Sequence, residues 1–324
     1  MKNKLNNNEL RREIGFFSAT TLVIANMVGT GIFTTSGFII EELGNPQTML
    51  LCWFVGGIFA LCGALCYGEL GAMFPRAGGE YVFLRESFGK WMGFLSGWIS
   101  LIVGFSAPIA AASIAFAIYF FRSFSLCLDP ELAVPFLGVN IATVSPQSIL
   151  ATGTIVILSL VHSHSLVVGS RVQNGLTMFK IAFILVFILA GLFLGNGSTS
   201  NFSPGLNMGE VFQDKFAISL IFISFAYSGW NAAAYLGGEI KKASRNIPLS
   251  LFTGTLLVMC LYLFLNVVYI YALPIKEMSA VLEVGAKSAV FLFGGPVSKY
   301  FSGAIAIGLL SVLSAMTMTG PRVY

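Results

Sequence analysis

Long apolar runs separated by short polar segments set the plan of this chain. Eight runs approach or exceed the length of about 20 apolar residues that a membrane-spanning helix needs. They fall at Ile14–Ile40, Pro46–Phe74, Trp91–Phe121, Pro146–Val168, Asn174–Gly195, Phe216–Gly238, Ile247–Tyr271 and Pro296–Thr319, and predict spans 1 to 8. Gly44-Asn45-Pro46 reads as a turn with Pro46 opening span 2, and Pro75-Arg76-Ala77-Gly78-Gly79 breaks the chain after it. Glu80 to Lys90 is charged and amphipathic, whereas Leu126 to Ser145, with Pro130 and Pro135, reads as an irregular connection.

Two runs are interrupted where a helix should be most regular. Span 1 carries Ile24-Ala25-Asn26-Met27-Val28-Gly29-Thr30-Gly31-Ile32-Phe33, and span 6 carries Ser224-Phe225-Ala226-Tyr227-Ser228-Gly229-Trp230-Asn231. Each glycine costs a helix about 1 kcal/mol relative to alanine and frees the backbone to leave helical geometry. At membrane depth such backbone is tolerated only where protein or a water-filled cavity satisfies its polar groups. Taken singly, either stretch could be a kink or a close helix contact. A pair of them, separated by four unbroken spans, points instead to a transporter site at the bilayer midplane. Span 6 then opens a second five-helix repeat, inverted because the repeat length is odd.

The backbone supplies the chemistry. Free N–H groups and a positive dipole end near Gly29 suit a carboxylate, and carbonyls ending the half-helices near Met27 and Phe225 suit an ammonium. Together they would clamp both ends of a free amino acid. Phe225 and Trp230 could form apolar walls or a gate.

Composition and charge agree. Of 324 residues 56% are hydrophobic and 10% charged, against about 25% charged in soluble domains, so the chain is an all-α polytopic membrane protein. The net charge of +4 reflects loop lysines and arginines that set orientation and does not indicate nucleic acid. With residues 1–13 as a cytoplasmic tail, thirteen of the 18 basic residues fall on the inner side. The organisation is then 14–195 for the first repeat, 196–215 for an extracellular loop and 216–324 for a partial second repeat.

These residues resemble the amino acid–polyamine–organocation superfamily. Gly29 to Phe33 (G-T-G-I-F) is similar to its helix 1 signature, and Tyr67 to Tyr81 to its helix 2 ending and first inner loop. Phe225 to Asn231, followed by Glu239 and Arg245 to Pro248 (R-N-I-P), resembles helix 6 and its following loop, and Thr319 to Tyr324 the end of helix 8. The nearest branch is the L-type-like amino acid transporters. The resemblance implies the leucine-transporter fold, with two inverted five-helix repeats and alternating access to one central site. It implies a substrate carboxylate on Gly29, Thr30 and Gly31, and an amine on carbonyls of Met27, Phe225 and Ser228, with Ala226 beside them. Phe225 matches the gating position, and Asn231 a polar residue near the substrate. Lys180 matches a lysine that replaces a sodium site, which implies sodium-independent exchange or proton coupling at the cell membrane. The family's helices 9 and 10 have no counterpart after span 8, so a fragment or an inactive truncated permease is the alternative, beside a transporter of polyamines or other organocations.

The remaining signals are weaker. Lys180 alone reads equally as a snorkelling residue near the inner boundary, and Glu69 as an interfacial acid or a proton relay. Cys62 and Cys66 share a helix face with no further ligand at metal spacing, and the cysteines read as buried, inert thiols. His162 and His164 diverge on a helix, so neither a metal nor a cofactor is expected. Asn196 and Asn201 fit the glycosylation pattern. Cys127 lies in the connection where relatives bind a partner subunit, but the match is loose and any partner stays unknown. A channel would need charge rings or a filter repeat, and an enzyme would need paired acids, a nucleophile–base set or a metal cluster. The spans offer neither. Ala232 to Ala234 leave room beside the site, but the sequence does not name the substrate side chain.

Overall fold

A computed structural model describes residues 11–126, 132–136 and 139–324. Cys127 and most of the N-terminal tail therefore lie outside the described residues. The chain forms helices α1 (Phe16–Met27), α2 (Gly31–Leu43), α3 (Pro46–Met73), α4 (Glu80–Phe88), α5 (Lys90–Ile99) and α6 (Ala107–Phe124). A short antiparallel pair, β1 (Leu132–Phe136) and β2 (Val139–Val144), follows. Then come α7 (Pro146–His164), α8 (Leu166–Phe193), α9 (Met208–Val211), α10 (Asp214–Ala226) and α11 (Ala232–Tyr235). The last four are α12 (Ala243–Ala272), α13 (Ile275–Met278), α14 (Val284–Phe293) and α15 (Val297–Thr319).

Among the described residues six helical stretches are long and apolar enough to cross a membrane, and α1 with α2, bent by 43° at their break, make a seventh. The eighth expected span is present as α10 and α11, 13 and 4 residues long, with Tyr227–Asn231 between them. Neither piece reaches crossing length by itself, because the second glycine break divides the span unequally. Apart from the short β1–β2 pair, the architecture is that of an all-α polytopic membrane protein.

Local chemistry accounts for the boundaries. Asn45 caps α3 by accepting from Gln47 N and Thr48 N, with Pro46 at the first position where a missing N–H costs nothing. Ser145 and Ser148 close a reciprocal capping box on α7. Within the third span, Ser100–Ser106 is π-helical just ahead of Pro108. The proline ring lacks a donor and crowds the carbonyl four residues back, and a wider turn relieves that conflict.

Four features differ from the sequence reading. The connection after α6 contains the β1–β2 pair, with its register shifted beside Pro135, a residue that cannot donate to the ladder. A ten-residue apolar helix, α14, occupies the loop between spans 7 and 8, where its length fell below the spanning threshold. Span 5 begins at Leu166, because extended Ser165 makes the turn without glycine or proline to mark it. Of the cysteines, Cys52 is buried while Cys62, Cys66 and Cys260 are exposed on apolar helices, where the solvent is lipid and an outward thiol is tolerated.

The core is formed by α1, α3, α12 and α15, whose inward faces bury Leu22, Trp53, Tyr262 and Leu313 among others. At one end of the bundle four segments converge. Ile14 pairs with Ile240, and Ala77 pairs with Leu236. The Arg322 guanidinium lies 3.2 Å from the Glu239 carboxylate, and Arg12 donates to the Ile240 carbonyl at 3.4 Å.

Candidate functional site

The first break begins at Val28, whose ψ of 83° carries the chain out of the α1 helix. The Gly29 N–H turns back to the Met27 carbonyl at 2.9 Å, and α2 restarts at Gly31. Among the described residues no backbone carbonyl accepts from the N–H groups of Thr30, Gly31 or Ile32. These are the orphan donors every helix start creates, here in the middle of a span. The two glycines differ in surroundings. Gly29 has open space where a side chain would begin, whereas a Cβ on Gly31 would sit 3.1 Å from Cα and Cβ of Ala226.

The second break is built against the first. Gly229 adopts φ +97°, and a Cβ there would also fall 2.9 Å from the Asn26 backbone, so conformation and close approach both require glycine. The Asn26 amide reaches the Gly229 carbonyl at 3.5 Å. Tyr262 of α12 ties the ends of both half-helices together. Its hydroxyl lies 2.8 Å from the Met27 carbonyl and 3.1 Å from the Ala226 carbonyl. Trp53, Tyr227 and Tyr262 pack mutually edge-on or tilted, with ring centroids 5.0 to 5.7 Å apart, and hold that hydroxyl in place.

Between the breaks lies a cavity of about 220 Å³. Met27, Gly29, Thr30, Gly31, Phe225, Ala226 and Ser228 all line it. Asn26 adds a polar atom, and Pro108, Ala111 and Ala112 of α6 with Leu309, Val312 and Met316 of α15 add an apolar wall. Among the described residues no acidic or basic side chain lines it. Seven of the eight substrate-binding residues expected from the sequence therefore meet in one place. The Met27 carbonyl, however, already accepts from Gly29 N and faces Tyr262 Oη, so both its lone pairs are engaged. The Phe225 carbonyl accepts from Ser228 N at 3.1 Å and is also reached by the Tyr227 N–H, which it shares with the Ile223 carbonyl, and Phe225 is 74% exposed.

Asn231 does not join them. Its amide donates to Glu80 and to the Tyr235 hydroxyl, outside the cavity lining. Trp230 likewise turns away, packing edge-on to Tyr67 at 4.9 Å and over Gly63.

Lys180 lies near the middle of α8 rather than at its start, because that helix begins eight residues before the expected boundary. It is 3% exposed, so it does not snorkel. Its ammonium donates to the carbonyls of Val28 at 2.6 Å and Ala25 at 3.1 Å, the open end of α1. Its stem runs beside Gly308 of α15.

The other candidates fall elsewhere. Glu69 is exposed on α3. His162 contacts Ser314 at 2.9 Å, and no group of metal-ligating side chains occurs among the described residues. Asn201 donates to the Tyr271 carbonyl at 3.2 Å, and Asn196 is exposed. Sequence reasoning missed Tyr262, Asn26 and the Pro108–Ala112 wall. Pro108 carried a signal, since a proline well inside a span distorts the helix around it. Tyr262, in an unbroken apolar run, carried none.

Residues 14–324 match the family described as Amino acid permease. The chain is 32% identical to the human b(0,+)-type amino acid transporter 1 over 273 residues, 83% of this chain and 53% of that protein. It is 29% identical to the serine/threonine exchanger SteT of Bacillus subtilis over 318 residues, 98% of this chain and 68% of SteT. Against the human large neutral amino acids transporter small subunit 2 the identity is 32% over 277 residues, 84% of this chain and 49% of that protein. The chain thus spans about half the length of the two human relatives. Two helix breaks facing one uncharged cavity, in a chain matched to one family from residue 14 to its last residue, lead to one assignment: this protein is a member of the amino acid permease family, within the amino acid–polyamine–organocation superfamily.

Proposed function

We propose that the cavity between the two helix breaks is the substrate site of a secondary transporter that moves free L-amino acids by alternating access. The observation that carries this reading is the row of unpartnered N–H groups at Thr30, Gly31 and Ile32, next to a cavity without charged side chains. Such a row, at a positive helix end, binds a carboxylate without a counter-ion from a side chain. The α-amine goes to the Phe225 carbonyl, whose Tyr227 donor is shared with Ile223, and to acceptors of Ser228, since the Met27 carbonyl is already engaged. The apolar wall receives the side chain. Phe225, exposed at the cavity edge, is placed to cover it.

Lys180 supports sodium independence. A fixed ammonium at the end of α1 supplies the positive charge that a bound cation would otherwise bring to those carbonyls. The relative named as an exchanger, SteT, favours exchange over one-way flux. In this reading residues 14–195 and 216–324 are two related halves, and the end bearing Arg12, Arg76 and Arg322 faces the cytoplasm at the cell membrane. A polyamine substrate is disfavoured because the wall offers no carboxylate to its amines.

Competition binding tests the site. Labelled L-serine and L-leucine, bound to the full-length protein in detergent, should be displaced by unlabelled amino acid. Their methyl esters and N-acetyl derivatives should not displace them. Displacement by putrescine equal to that by the free amino acid would replace this reading with the organocation one.

A further inference from the structure

Asn231 turns from the cavity to Glu80, and the surrounding contacts give that pair a function. Glu80 is the first residue of α4, directly after Gly79 at φ +50°. A Cβ on Gly79 would fall 2.7 Å from the Tyr235 ring, and one on Gly237 would fall 2.5 Å from the Arg76 carbonyl. Gly78 N donates to the Tyr235 carbonyl at 3.0 Å. The loop after α3 therefore lies backbone to backbone against the second half of the broken span.

The Glu80 carboxylate accepts from the Asn231 amide and faces the Tyr67 hydroxyl at 3.4 Å. Nearby Arg85 and Arg76 are directed to Glu86 instead, and among the described residues no cation pairs with Glu80. Asn231 precedes α11 but its side-chain oxygen makes no capping bond there, and its amide hydrogens go to Glu80 and Tyr235. A helix of four residues is far below the length that holds itself together. Its placement, and that of the turn before it, depends on outside contacts, and the bond to Glu80 is the charge-assisted one.

We propose that Glu80 is a positioning residue for the substrate site: through Asn231 its carboxylate fixes the Tyr227–Asn231 turn that presents Ser228 to the cavity. Asn231 then acts through this bond rather than by touching substrate. The inference rests on the transport reading of the cavity.

The test uses the full-length protein in liposomes, with exchange of the labelled standard L-amino acids measured first for the wild type. Glu80→Ala and Asn231→Ala should each raise KM about tenfold, the equivalent of one charge-assisted hydrogen bond. The double variant should be no worse than either single one, since both remove the same bond. Glu80→Gln keeps the shape and an acceptor oxygen, so it folds and should fall between wild type and Glu80→Ala. An unchanged KM in Glu80→Gln and Asn231→Ala, or losses that multiply in the double variant, overturns the proposal while the transport reading stands. A wild type that exchanges none of the standard L-amino acids overturns the transport reading, and this inference with it.

Discussion

Lys180 Nζ donates to the Val28 carbonyl at 2.6 Å, so a buried side chain on α8 closes the open end of the first half-helix. Removing it leaves the carbonyls of Val28 and Ala25 without their donor, at a cost of about 1–3 kcal/mol each. Lys180→Met should therefore abolish uptake while the wild type transports equally in sodium and choline buffers. Uptake that collapses in choline would contradict the role assigned to this lysine.

The two glycines of the first break should fail in different ways. Gly29→Val projects into open space, so the protein should fold with its thermal midpoint nearly unchanged and lose substrate binding. Gly31→Val meets Ala226 at 3.1 Å and should cost about 1–3 kcal/mol of stability as well. Parallel melting and binding measurements check both. Identical behaviour of the two variants would remove the distinction between a cavity-facing and a packed glycine.

Tyr262→Phe keeps the packing against Trp53 and Tyr227 but withdraws the hydroxyl from the Met27 and Ala226 carbonyls. One shared hydrogen bond of this kind is worth about 1 kcal/mol net, so exchange should slow by roughly five- to tenfold with expression intact. Exchange at the wild-type rate would show that the two breaks keep their alignment without it.

The contact between Arg322 and Glu239 joins the last residues of the chain to the loop before α12. The Glu239 side chain is 8% exposed, so Arg322→Ala strands a buried carboxylate and should cost about 3–5 kcal/mol. Adding Glu239→Gln should recover much of that loss, since a neutral amide tolerates the site without its partner. Thermal melts of the single and double variants decide it.

How far the sequence could be read depends on the kind of signal. The breaks at Gly29–Gly31 and Ser228–Gly229 were legible because glycine is conspicuous in an apolar run, and both structural breaks fall there. Seven predicted residues line one cavity because a broken helix turns consecutive residues toward the same space. Asn231 was misplaced by that logic, since the turn at Gly229 rotates it toward Glu80. Lys180 was placed too near a helix end because nothing in Leu166–Asn174 marks a start or stop. The hydroxyl of Tyr262 on two carbonyls is a long-range contact, and local pattern carries no record of such contacts.

The most direct test of the central claim is counterflow in liposomes containing the full-length protein. Vesicles preloaded with unlabelled L-serine or L-leucine would receive the same labelled amino acid outside. The account predicts saturable uptake, accelerated by preloading, unaffected by replacing sodium and absent in Gly29→Val. Wild-type uptake that neither saturates nor responds to preloading, or that persists in Gly29→Val, would contradict it.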